Sequence, residues 1–119
     1  MQEPLSVEAK GDLIEVCVAG VPTAPLLEEC RQRVFDLVRI TGRLHVLYDT
    51  RGMEAPPVDV TFAQRHMDEQ LTHPLRRAIV VPNPRLAYLA RLSFGEGDYR
   101  VFYEDIDAAR AWLIEPDGD

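Results

Sequence analysis

The sequence predicts an α/β fold in which a mixed, mostly parallel β-sheet carries an N-terminal hairpin and about four helices. Two apolar segments joined by a short turn open the chain. Amphipathic helical segments then alternate with short apolar segments typical of buried strands. This alternation requires crossovers between parallel strands, so the predicted order is ββαβαβαβα. The 119 residues suit one domain, 1–119, with its core at about 5–114.

The first part of the chain supplies the hairpin and the clearest helix. Residues 5–9 and 13–19 alternate apolar and polar side chains, as half-buried strands do. A helix with a continuous apolar stripe is predicted to begin at residue 23 or 24. Pro25 falls in its first turn, where a missing N–H costs little, and Gly42 suits a left-handed cap at its end.

The middle of the chain is predicted to add two strands and two helices. Residues 44–48 form a compact apolar segment typical of a central strand, and residues 49–52 are expected to close it as a turn. A helix with a ragged apolar stripe is predicted over 59–71. Residues 77–81 give the next buried strand, and residues 85–94 give the helix after it.

The C-terminal part is predicted to form the last strand and the last helix. The strand covers 99–103 and the helix 106–113. Asp105 is a favourable N-cap for this helix, because its carboxylate can accept a hydrogen bond from a first-turn N–H. Asp107 is well placed near the positive end of the helix dipole.

The charge balance argues against two classes of partner. The net charge is −7, and nucleic-acid affinity comes largely from neutralising phosphates, so no nucleic-acid role is expected. An anionic membrane surface is disfavoured for the same reason. No apolar segment approaches the roughly 20 residues of a membrane span, and no signal peptide is visible at the N-terminus. These observations favour a cytoplasmic location.

The cysteines and histidines predict neither a disulfide nor a metal site. Cys17 lies in an apolar strand segment and Cys30 on the helix stripe, so both are expected to be buried free thiols. His45, His66 and His73 lack metal-ligand spacing. No phosphate-binding loop or nucleophile motif is present, so neither a cofactor nor an enzyme activity is predicted.

Three segments of the sequence resemble the SpoIIAA-like (STAS/SEC14-related) family of small bacterial proteins. The resemblance covers roughly residues 5–114, and the closing pattern Phe-x-x-x-x-x-Ala-x-x-Trp-Leu is its most specific part. The segments are an apolar strand ending in Asp, an apolar strand leading into Arg-Leu-Ala, and the closing strand and helix: 44–49, 77–87 and 101–113.

The family resemblance implies a binding function. STAS domains dock protein partners and are switched by phosphorylation of a Ser in an Asp-Ser-Ser-Gly-like turn before the second helix. The corresponding stretch, 55–61, has neither Ser nor Gly, and Thr61 is its nearest hydroxyl. Thr50, at the end of the preceding strand, is a separate candidate acceptor. The resemblance therefore favours a regulatory interaction module without enzyme activity. SEC14-like relatives enclose an apolar molecule, and this alternative predicts an apolar pocket lined by the following residues: Phe62, Met67, Leu71 and Leu89.

Polar residues at two predicted strand ends form the candidate site. Ligands of parallel α/β sheets gather beyond the carboxyl ends of the strands, where Asp49, Thr50 and Arg51 are expected to meet Asn83 and Arg85. Asn83 could cap a helix, so that free N–H groups and Arg85 face an anion. We therefore expect this edge to bind a protein partner or a small anionic ligand. The exposed strand edges leave homodimerisation open.

Overall fold

The computed structural model describes residues 5–54, 75–94 and 98–114, which form five strands and three helices. The strands are β1 (Leu5–Lys10), β2 (Leu13–Gly20), β3 (His45–Met53), β4 (Arg76–Val81) and β5 (Tyr99–Tyr103). The helices are α1 (Ala24–Thr41), α2 (Pro84–Phe94) and α3 (Ile106–Leu113). The prediction of an α/β fold is confirmed. The expected helix over 59–71 lies outside the described residues, which contain three helices rather than about four.

The strands lie side by side in chain order. β1 pairs antiparallel with β2, and β2, β3, β4 and β5 follow as parallel neighbours. The hairpin register aligns Ser6 with Cys17, and the next register aligns Cys17 with Asp49. Directly aligned residues point to the same face of a sheet. These three side chains therefore share one face.

The helices divide unequally between the two faces of the sheet. α1 packs over β1 and β2, and α2 packs over β4 and β5, on the same face. Of the three described helices, α3 is the one that packs on the other face, over β3, β4 and β5. Its apolar contacts include Leu113 against Leu47 and Val80. Because α3 does not reach β1, the hairpin half of this second face is left open among the described residues.

The ends of α1 follow the sequence prediction. The Thr23 hydroxyl accepts a hydrogen bond from the Leu26 N–H at 3.2 Å, and proline occupies the first turn. Gly42 adopts φ +73°, a left-handed conformation that glycine adopts without a Cβ clash, and its N–H donates to the Val38 carbonyl at 2.9 Å.

The prediction that residues 49–52 form a turn is wrong, because β3 continues to Met53. The pairing of β2 with β3 shifts by one residue between Cys17 and Ala19, where β3 contains the extra residue of a bulge. The sequence Asp-Thr-Arg-Gly is typical of a turn. Here the bulge accommodates it: β4 pairs with β3 as far as Asp49, and β2 pairs again with Gly52 and Met53, which keeps the backbone extended.

Candidate functional site

The open half of the sheet contains a depression of about 220 Å³, which we call the open-face groove. Side chains of β1 form one wall, and the flank of α3 forms the other. The floor comes from β2 and β3. The lining residues are Ser6, Glu8, Lys10, Glu15, Val16, Cys17, Leu47, Asp49, Arg51, Ile106 and Arg110.

Asp49 and Arg51 form a two-point ion pair at one end of the groove. The Arg51 Nε donates to Asp49 Oδ1 and Nη2 donates to Oδ2, both at 2.9 Å, and the Arg51 backbone N–H adds a bond of 3.1 Å to Oδ1. These bonds from Arg51 hold the pKa of the Asp49 carboxyl below its ordinary value, despite partial burial. The structure therefore brings these two predicted site residues together, with their charges paired.

Glu15 and Arg110 form a second two-point ion pair across the groove floor. Arg110 Nε lies 3.3 Å from Glu15 Oε2, and Nη2 lies 3.0 Å from Oε1. The Glu15 side chain is only 18% exposed, so the pair is partly shielded from water. The hydrogen bond to Glu15 raises the pKa of Arg110. The Arg110 guanidinium, on α3, is thus held in place over β2.

The charges of the groove sum to zero. Its cations are Lys10, Arg51 and Arg110, and its carboxylates are Glu8, Glu15 and Asp49. The third pair, Lys10 with Glu8, is exposed on β1 and has a separation of 3.5 Å. Arg110 also helps to lower the pKa of Asp49, so the two inner pairs interact electrostatically. The lining of the groove therefore carries equal numbers of cations and carboxylates, and two carboxylates outside the lining, Asp107 and Glu104, act on Arg110 and Arg51 from its margin.

Cys17 lies half-buried between these ion pairs, and the expectation of a buried Cys17 is wrong. Alternation along β2 turns its side chain away from Val16 and Val18, which face α1. Burial raises the pKa of the Cys17 thiol, and the nearby Asp49 carboxylate raises it further. The thiol is therefore held in its protonated, weakly nucleophilic form. Cys30 is buried as predicted, with a pKa raised to about 12 by burial.

Thr50 does not share the groove with its neighbours in the sequence. It is 7% exposed, and its hydroxyl donates to the Val80 carbonyl at 2.7 Å. A phosphoacceptor hydroxyl must reach an enzyme's active site, and this one is buried and engaged. The structure thus places Thr50 in the sheet rather than at the surface expected for a modification site.

Asn83 and Arg85 stand at the start of α2, as the sequence predicts. The Asn83 side-chain oxygen accepts from the Leu86 N–H at 2.9 Å, and its carbonyl accepts from the Ala87 N–H at 3.2 Å. Pro84 has no N–H. Within the described ranges, this leaves the Arg85 N–H as the first-turn main-chain donor for an anion. The expected anion site at this helix end therefore rests on one N–H and the exposed Arg85 side chain.

The arginines that cluster in the sequence between 76 and 91 are separated in space. Arg76 and Arg77 start β4, whereas Arg85 and Arg91 belong to α2, which begins beyond the other end of that strand. Arg76 packs over the Trp112 ring, 4.0 Å from its centroid, and donates to the Trp112 carbonyl at 3.0 Å. Arg76 thereby joins β4 to α3, away from the expected ligand edge.

The residues predicted to line an apolar pocket are described only in part. Phe62, Met67 and Leu71 lie outside the described residues, as does the candidate phosphoacceptor Thr61. Leu89 is 5% exposed and packs in the core between α2 and the sheet.

The sequence prediction missed Glu15, Cys17 and Arg110 as site residues. A signal for Glu15 was present, because it is the one charged residue in the apolar segment of β2. Arg110 follows Ile106 by four residues, the spacing that places two side chains on one face of a helix. The contact between Arg110 and Glu15 depends on which sheet face α3 covers, and helical periodicity alone does not specify that face.

No protein-family model and no curated protein gives a significant match to the chain. Among the helices of the described ranges, none combines the length and the apolar character needed to cross a membrane. Over the same residues, no cluster of three or more His, Cys, Asp or Glu side chains is arranged to hold a metal ion. The candidate site is accordingly argued from the geometry of the open-face groove.

Proposed function

We propose that the protein is a non-catalytic, STAS-like interaction module that binds its partner in the open-face groove. The observation that carries the proposal is the pair of guanidiniums, Arg51 and Arg110, each fixed by two hydrogen bonds to a carboxylate. Both lie on a part of the sheet face that no described helix covers. Fixed side chains lose little conformational entropy when a partner binds. A protein segment or a small charged molecule would both meet these preorganised donors.

The ionisable groups of the groove favour binding over catalysis. An efficient general acid or base has a pKa near the operating pH. Arg51 keeps Asp49 ionised far below neutrality, and burial keeps the Cys17 thiol protonated. Neither group is thus prepared to move a proton or attack a substrate at neutral pH.

The resemblance to STAS domains supports the same proposal. The antiparallel hairpin followed by parallel strands in chain order agrees with the family's expected architecture at a coarse level. A protein partner is the first expectation from that family, and a small anionic ligand is the second. The groove differs from the sequence-based site because it lies on the sheet face rather than at the Asn83–Arg85 helix start.

Site-specific photocrosslinking in cells that produce the protein tests the proposal. A benzoylphenylalanine at Ser6 stands in the groove wall, and the same group at Gln32 stands on exposed α1 as the matched control. We expect a discrete crosslinked protein from Ser6 that is lost when Arg110→Gln is added, and no such product from Gln32. Equal products from both positions would contradict a groove-specific partner.

A further inference from the structure

We propose that the open-face groove selects a small zwitterion that carries an amine and a carboxylate a few ångströms apart. The inference rests on the proposed function, because it names the ligand class of the same groove. Its basis is the equal number of cations and carboxylates in the lining, arranged as three ion pairs.

The neutral groove discriminates against ligands of a single charge. An anion near Arg110 is attracted by the guanidinium and repelled at nearly the same distance by Glu15, whose oxygens lie 3.0–3.3 Å from the arginine nitrogens. The two Coulomb contributions largely cancel. A cation near Glu15 is attracted by that carboxylate and repelled by Arg110, so its two Coulomb contributions also largely cancel. A zwitterion aligned antiparallel to the pair gains attraction at both of its ends.

The hydrogen-bonding groups left at the two inner pairs suit the same ligand. Asp49 occupies the Nε and Nη2 of Arg51, and Glu15 occupies the corresponding atoms of Arg110. Each guanidinium has five N–H donors, so Nη1 of Arg51 can donate to a ligand carboxylate. Nη1 of Arg110 lies 3.8 Å from the exposed Asp107 carboxylate, beyond hydrogen-bond distance, so it too can donate to a ligand. Each carboxylate oxygen can accept more than one hydrogen bond, which provides for a ligand ammonium.

The size of the groove limits the ligand to a small molecule. Its volume of about 220 Å³ lies below the roughly 300–1,000 Å³ of pockets for drug-sized ligands. The side chains of Arg51 and Arg110 are 42% and 41% exposed, so the site opens to solvent at its top. A short amino acid fits these limits better than a long polar chain.

Three probes of equal length and different charge test the inference. Nuclear magnetic resonance titrations of the full chain would compare γ-aminobutyrate, butyrate and butylammonium at constant ionic strength. We expect saturable shifts of the amides of Glu15, Cys17 and Asp49 with γ-aminobutyrate, and affinity at least about tenfold weaker for the other two probes.

Charge variants make the test specific to the groove. Arg110→Gln should weaken γ-aminobutyrate binding at least about tenfold, and Arg39→Gln on α1 should leave it unchanged. Asp49→Asn removes one carboxylate and makes the groove net positive, so butyrate should now bind more tightly than in the parent protein. Because a general loss of structure would weaken the binding of every probe, tighter butyrate binding by Asp49→Asn would show that charge selects the ligand.

The remaining outcomes separate the inference from the proposed function. If butyrate binds the parent protein as tightly as γ-aminobutyrate, the groove is an anion site, and the zwitterion inference is overturned while the proposed function stands. If no probe shifts the groove amides, the inference also fails. The Ser6 crosslink, which needs no small ligand, then decides the proposed function by itself.

Discussion

Arg110 on α3 and Glu15 on β2 lie 95 residues apart in the chain and meet in a two-point ion pair on the open face of the sheet. The pair joins the last helix to the opening hairpin, where Leu13 at the start of β2 also belongs to the core cluster of α3. It therefore provides one of the two fixed guanidiniums of the open-face groove.

A double-mutant cycle on this pair measures its energetic coupling. Glu15→Gln, Arg110→Gln and the double variant should give a coupling free energy of about 0.5–1 kcal/mol in urea unfolding, because the pair is two-pointed but partly hydrated. The exposed pair Arg33–Glu29 on α1 is the control and should couple less strongly. A coupling energy of zero between Glu15 and Arg110 would contradict the conclusion that Glu15 holds the Arg110 guanidinium in place.

The stability contributed by Asp49 depends on pH in a defined direction. Its folded-state pKa is lowered from 3.8, chiefly by the hydrogen bonds from Arg51. The carboxylate therefore stabilises the fold fully above about pH 3.8, and the contribution is lost as the pH falls through the folded-state pKa. The stability difference between the parent protein and Asp49→Asn should shrink below that pH in urea unfolding.

Arg51 supplies the control for this pH dependence. In an Arg51→Gln background, the Asp49→Asn difference should vary much less between neutral and acidic pH, because the largest cause of the lowered Asp49 pKa has been removed. An unchanged pH dependence in that background would assign the effect to another group.

Glu104, between β5 and α3, has a strained backbone. Its φ is +60°, and its N–H donates to the Val81 carbonyl at 3.0 Å. A side chain in the left-handed region costs roughly 1–2 kcal/mol, which glycine avoids at a smaller cost in unfolded-chain entropy. Glu104→Gly should therefore raise the free energy of unfolding by about 0.5–1 kcal/mol. Glu104→Ala keeps the Cβ, so it should not raise the free energy of unfolding. Equal effects of the two changes would contradict the proposal that the Cβ strains the backbone at this position.

The two cysteines should differ in their access to alkylating reagents. Cys17 lies half-buried in the groove, whereas Cys30 is buried on the sheet-facing side of α1, where burial raises its pKa to about 12. In the folded protein, iodoacetamide should label Cys17 first and Cys30 only after unfolding, as followed by peptide mass spectrometry. Equal labelling rates in the absence of denaturant would show that the assigned orientation of β2 is wrong.

Local signals in the sequence predicted most of the described elements. The Gly42 cap and the Asp105 cap each depend on residues within a few positions, and both are present. The strand at Tyr99–Tyr103 and the helix at Ile106–Leu113 also have the expected bounds. Such features follow from local hydrogen bonding and hydrophobic periodicity.

The candidate site was harder to predict because it depends on contacts between distant segments. Asp49 and Arg51 were identified as site residues, but both face the groove because β3 continues past Asp49, and that continuation depends on pairing with the neighbouring strand β2. Arg110 approaches Glu15 because α3 lies on the face opposite α1 and α2. A pattern within one segment contains no information about that choice of face.

Native mass spectrometry of gently purified protein tests the central claim most directly, by comparing the parent chain with Arg110→Gln and Arg85→Gln. If the open-face groove is the binding site, the parent chain and Arg85→Gln retain the same bound mass, and Arg110→Gln loses it while remaining folded by circular dichroism. Retention by Arg110→Gln with loss from Arg85→Gln would place the site at the start of α2 and contradict the account.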